Sequence, residues 1–197
     1  MTQQVSEVVR TLLTMCGVWR DHLTAYHPDG TPMPLDTFGG SPGAFPYDNL
    51  VYIDFDGERY VQTNVAVQGR PLEERTFCGS IIDGVLHFDK LGPEDPGQVG
   101  VSGGPGVLCY VPSRVTEAMA RFADPDFIRL LGADQRTRVT TLYRNGELKR
   151  VLTVAGHRIS DDPTVRMSYD PRGADGPVHK GHHHTLVYRD LHPEGTS

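Results

Sequence analysis

The sequence predicts an all-β protein, an antiparallel up-and-down β-barrel with one short N-terminal helix and one further short helix. Three observations carry that prediction. Asp56-Gly57, Asp83-Gly84 and Asn145-Gly146 each separate runs of alternating character, and such dipeptides supply the positive φ of a tight hairpin turn. Gly17-Val18-Trp19, which holds the only tryptophan, stands where helical spacing gives way to an extended pattern. A series of short antiparallel strands must hide its edges, and closure into a barrel does so. A β-sandwich is the competing arrangement; the early helix and the Gly-x-Trp favour the barrel.

Val5, Val8, Val9, Leu12 and Leu13 recur at helical spacing, so residues 4–15 are expected to form an amphipathic helix able to plug one end. Val18–Tyr26 reads as the first strand, and His27-Pro28-Asp29-Gly30 as a turn. Residues 31–48 are rich in Pro and Gly and predict a long loop or broken strand across the barrel mouth, with 34–47 bordering the open end. Hairpin strands follow at Leu50–Phe55, Arg59–Val67, Pro71–Ile82 and Val85–Phe88. Gly100–Gly106 lacks the Lys-Ser/Thr ending of a phosphate loop and reads as a mobile turn. Ser113–Phe122 predicts a helix capped by Ser113 and stopped by Pro125. Arg136–Arg144 and Glu147–Ile159 form the next hairpin, residues 160–181 a second long loop, and His183–Asp190 the closing strand, expected to pair with the first.

At 197 residues the chain suffices for one core, and a single domain is expected over 1–197, with 1–16 as the N-terminal helix and 191–197 as a disordered tail. A formal charge of -6 with scattered arginines argues against nucleic acid as a partner. The opening lacks the basic start and unbroken apolar centre of a signal peptide. No stretch reaches the ~18 apolar residues of a membrane span. Cys16, Cys78 and Cys109 have no paired spacing, so reduced thiols and a cytoplasmic setting are expected. A homodimer is left open.

Gly17-Val18-Trp19 after a helix, the hairpin series and Tyr188-Arg189 near the end resemble the calycin superfamily: lipocalins, fatty-acid-binding proteins and nitrobindins. The stretches Gln62-Thr63-Asn64 and Leu72–Phe77 look like bacterial lipocalin-like domains without an established function. The resemblance implies a lipocalin-like barrel in which Trp19 lies at the closed end under a basic side chain, Arg189, from the last strand. It also implies an alternative cofactor, haem, held through His183. The Pro-rich loop, the helix at 113–122 and the long 160–181 connection depart from the nitrobindin pattern.

Candidate site residues follow from parity. His157, His179, His182, His183 and His184 crowd into the last third. A closing strand with Arg189 inward would turn His183 inward too, and an interior His183–His157 pair could serve as acid and base. The bland alternative is a solvated, histidine-rich strand end. Arg136 and Arg138 share one face of their strand and Arg158 lies on the next; if inward, they would bind a carboxylate or polarise a carbonyl. Arg138 is therefore a catalytic candidate with the two histidines. Trp19, Asn64, Arg136, Tyr143 and Arg158 are substrate-binding candidates, Gln62 shares the face of Asn64, and Arg75 lies on another strand. Asp21 shares the face of Trp19 and is expected to neutralise a buried arginine.

Two functions fit. One is a cofactor-independent cyclase or isomerase that folds a small, mostly apolar or amphipathic substrate, as allene oxide cyclase does in a related barrel, through shape and a few fixed donors. The other is a non-catalytic carrier or sensor of a hydrophobic ligand or haem.

Overall fold

The computed structural model describes residues 6–33, 47–66, 73–93, 95–168 and 176–180. Helix α1 spans Glu7–Met15, and the strand β1, Gly17–Tyr26, follows at once. The next four strands are β2 Tyr47–Phe55, β3 Arg59–Ala66, β4 Glu73–Ile82 and β5 Val85–Phe88. Then come β6 Gln98–Gly104, β7 Val107–Pro112, the helix α2 Val115–Arg121, and the short β8 Phe122–Ala123. The chain continues through β9 Asp126–Leu130, β10 Gln135–Arg144, β11 Glu147–Ser160, β12 Val165–Ser168 and β13 Gly176–Lys180.

Neighbours in sequence pair antiparallel from β1 to β7. The order then runs β7-β9-β10-β11, and β11 pairs back onto β1, closing a barrel of ten strands. β8 adds only a short pairing onto β10. The closing strand is thus β11, not the expected 183–190, which lies outside the described residues along with Arg189. At 14 residues, β11 can line up with both β10 and β1: Trp19 faces Arg158, Asp21 faces Gly156 and Leu23 faces Val154. Gly17 permits this seam. Its φ is +125°, and a Cβ there would sit 2.3 Å from the Ser160 carbonyl oxygen.

The helix α1 plugs one end. Ser6 caps it, its Oγ accepting from the Val9 amide at 3.3 Å. Val8, Leu12 and Met15 point inward onto Trp19, Val51, Ile53, Phe55, Tyr60, Leu86, Leu108 and Ile128. The outer face is apolar where Val18, Leu50, Tyr52 and Val65 cluster. Part of the expected 160–181 loop is instead the β12–β13 hairpin, with Val165 buried. Arg166 lies 5.2 Å over the Tyr52 ring and donates to Glu74 Oε1 at 2.6 Å.

Three further differences from the sequence reading have local causes. Gly100–Gly104 is strand, because a Cβ at Gly100 would stand 3.1 Å from the Tyr110 ring and from Leu86 Cβ; the glycine makes room for a neighbour rather than a turn. Ser113 does not cap α2: its hydroxyl donates to the Pro96 carbonyl at 2.6 Å, and Arg114 occupies the N-cap without a side-chain bond. Strands β7 and β9 were not foreseen, being short and separated by a helix.

Candidate ligand chamber in the open half of the barrel

Strand parity decides what the lumen offers. On β1 the inward set is Trp19, Asp21, Leu23 and Ala25, all buried. Register carries that face round the barrel, so Asn49, Gln62 and Asn64, Asp126 and Ile128, Arg136, Arg138 and Thr140, and Leu152, Val154 and Arg158 also point inward.

The polar residues fall into groups. One is a clasp around the tryptophan. Arg136 donates through Nε and Nη2 to Asp21, with bonds of 2.8 to 3.1 Å, and both side chains are almost fully buried. The guanidiniums of Arg136 and Arg158 lie 4.6 and 4.9 Å from the Trp19 ring centre, within cation–π range. Arg158 also donates to the Thr14 carbonyl of α1, and the indole Nε1 donates to Met15 O at 2.8 Å. A basic cover over Trp19 was expected from Arg189, and these two arginines supply one from β10 and β11. Trp19 has no exposed surface, while the Arg158 side chain over its ring stays partly exposed.

Another is a hydrogen-bonded chain on β3. Tyr60 Oη donates to Gln62 Oε1 at 2.5 Å, and Gln62 Nε2 donates to Asn64 Oδ1 at 2.9 Å. With that proton spent, Tyr110 is the donor in its 3.2 Å contact with Tyr60. Burial holds both phenols protonated, Tyr60 well above its ordinary range and Tyr110 at about 12. The chain runs along β3 by twos, from a fully buried phenol to the half-buried Asn64.

On β10 stands Arg138, its Nε 3.9 Å from Asp126 Oδ1, while Thr140 Oγ1 donates to that carboxylate. Burial first lifts the Asp126 carboxyl above its usual range; Arg138 and Thr140 pull it back. Asp124, two residues earlier, keeps solvent exposure on one side. Loss of hydration on the other side, then the Asp126 charge, raise it to about 6. Asn49 Oδ1 is buried without a hydrogen-bond partner among the described residues.

Two apolar regions complete the open half. Leu23, Ala25, Leu152 and Val154 pack with Met33, which enters just before the residues 34–46 that fall outside the description. Across from them, a cavity of about 400 Å³ lies between the β4–β7 wall and α2, lined among others by Phe77, Phe88, Gln98, Pro112, Ala118 and Asp124.

Comparison with known proteins reports on the fold. A crystal structure of a protein of unknown function from the DUF3598 family of Nostoc punctiforme superposes with a TM-score of 0.57 at 20% identity, over 74% of this chain and 48% of the other. The chain thus spans about half the length of that protein. The S-type phycobiliprotein lyase CpeS from Guillardia theta gives a TM-score of 0.53 at 10% identity, over 77% and 92%. The likeness to both is one of fold, a closed antiparallel β-barrel. No family model and no curated protein matches the sequence.

The expected site residues are therefore only partly brought together. Arg136 and Arg138 do face inward, and so do Asn64 and Gln62. His157 does not: it sits on an outward position of β11 and is exposed, opposite Arg20 and Gln135. Parity explains the reversal, since Gly156 and Arg158 take the inward positions beside it. Tyr143 follows a bulge at Leu142/Tyr143 and lies half-buried opposite Ala123. His183 lies outside the described residues. His22 and His87 are exposed on outward positions, and His27 is in a turn, so no histidine on a described strand with a described side chain turns toward a haem in the lumen. Among the described residues no cluster of three metal-ligating side chains occurs and no helix is long and apolar enough to cross a membrane. The reading missed Tyr60, Tyr110, Asp124 and Asp126. Tyr60 was within reach, because it shares the parity of Gln62 and Asn64; the aspartates were not, because β9 was not recognised as a strand.

Proposed function

We propose that the open half of this barrel binds a small, mostly apolar molecule by a carbonyl or carboxylate end, and acts on it as a cofactor-independent cyclase or isomerase. What supports the reading is a cavity with mainly apolar walls and fixed polar groups near it: Asp124 on its lining, Arg138 held beside Asp126 two residues on, and Asn64 facing inward at the end of its hydrogen-bonded chain. Such pockets are mainly apolar with a few placed polar groups. Arg138 polarises the carbonyl oxygen. Asp124, its carboxyl raised to about 6 by lost hydration, takes the proton-transfer role that His157 was expected to fill. The walls hold the chain of the substrate in one conformation, which is the larger part of such catalysis. A reducing, cytoplasmic setting suits the free thiols of Cys16, Cys78 and Cys109.

The test is extraction of the purified protein with organic solvent and mass spectrometry of whatever is released, followed by return of that molecule in excess. A cyclase or isomerase converts it to a product of equal mass and different connectivity, and Arg138→Gln slows the conversion about a hundredfold. Recovery of the molecule unchanged leaves a carrier. A Soret band would favour the haem alternative, and release of nothing, with no uptake of an apolar probe, would sink both.

A further inference from the structure

The cavity beside α2 differs in charge from the arginine side of the lumen. Its walls carry the carboxylates Asp89, Asp95, Glu117 and Asp124, against the single guanidinium of Arg121. Arg59 takes up Asp89 at 2.5 Å, and Arg114 takes up Glu117 at 2.9 Å. Asp95 accepts only neutral donors, the amides of Leu91 and Gly97 at 2.8 Å each. Asp124 makes no ion pair among the described residues; the charge of Asp126 raises its carboxyl, and those of Arg138 and Arg150 lower it in smaller measure. Phe77, Phe88 and Phe122 line the same cavity, and its volume of about 400 Å³ is that of a small-ligand site.

We propose that this cavity takes the basic end of a small hydrophobic amine, its ammonium between Asp95 and Asp124 and its hydrocarbon against Phe77, Phe88 and Phe122. The inference rests on the reading of the open half as a ligand chamber and names the chemistry of one of its walls. A cation there offsets the repulsion between Asp124 and Asp126, and it replaces the hydration that both carboxylates lose when an apolar group fills the slot. Aromatic faces attract the same charge. An anionic ligand end meets repulsion on this wall, and a neutral one leaves Asp95 and Asp124 without a cationic partner.

Three probes of one shape test it by calorimetry on the full chain: phenethylamine, phenethyl alcohol and hydrocinnamate. Near neutral pH the amine binds about tenfold or more tightly than the alcohol, as a charge-assisted contact requires. The preference shrinks as pH falls through about 6, where Asp124 gains its proton, while the amine itself stays charged. Asp124→Asn abolishes most of it, and the pH titration of the unaltered protein gives the same answer without a variant. Equal binding of amine and alcohol, or a preference indifferent both to pH and to Asp124→Asn, overturns the inference. Hydrocinnamate bound without the amine also overturns it and leaves the arginine-side reading standing. Amine bound while hydrocinnamate is refused supports it and counts against the carbonyl or carboxylate end.

Discussion

Gly156 is the position where one atom more would undo the barrel's interior. A Cβ there would lie 2.5 Å from Asp21 Oδ1 and 2.6 Å from Arg136 Cγ, so the absent side chain is what lets the buried ion pair form across β1, β11 and β10. Breaking a buried pair strands a charge and typically costs about 3–5 kcal/mol. Gly156→Ala is expected to lower stability by about that much in urea denaturation, and a loss under about 1 kcal/mol would show that the pair adjusts. Asp21 as a neutraliser of a buried arginine was readable from its parity with Trp19. Which arginine it met was not, because the register between strands over 100 residues apart is not written in local pattern. The same gap turned His157 outward: it was placed by the strand expected to pair beside it, and the true partner was different.

Among the elements, α1 is legible in the sequence and decisive in the structure. Its inward residues seal the end where Trp19 lies, and Ser6 starts it. Ser6→Ala removes the cap and should cost about 1 kcal/mol, lowering the melting temperature while leaving ligand binding in the far half of the barrel unchanged. Probe binding lost in parallel with the cap would mean that the plug and the chamber are one cooperative unit. The hairpins around Asp56-Gly57, Asp83-Gly84 and Asn145-Gly146 were read correctly because the turn residues act locally: Asp83 and Asn145 adopt positive φ of 51° and 54°, as do the glycines after them. The strands β6, β7 and β9 were missed for the converse reason. Gly100 serves a neighbour's ring, and β9 has only five residues, too few for its alternation to stand out.

For the molecule as a whole, two carboxylates with reduced hydration predict a dependence of stability on pH. Asp124 is raised to about 6 and Asp126 is raised as well, both chiefly by lost hydration. A folded-state pKa above the unfolded value means the native form binds protons more readily. The stabilising contribution is therefore full below the unfolded pKa, about 4, and is lost as pH rises through the folded pKa. The urea midpoint should rise as pH falls from neutrality toward about 5, and Asp124→Asn should flatten that rise. A midpoint that falls steadily over the same range would contradict the shifts. At lower pH the sign turns, since Asp29, Asp56 and Glu147 are held below their usual values by hydrogen bonds that protonation weakens.

Local chemistry was enough to specify an all-β chain, its helix plug and most of its hairpins. Turn dihedrals, alternation and helical spacing all act within a few residues, so they are visible in a linear text. The seam was decided elsewhere. That β11 rather than a later segment closes on β1, that two arginines cover Trp19, and that Asp124 and Asp126 meet Arg138 beside an apolar cavity all depend on strand register. Register is set by how the whole inner face packs around one tryptophan, a condition no single stretch of the chain contains.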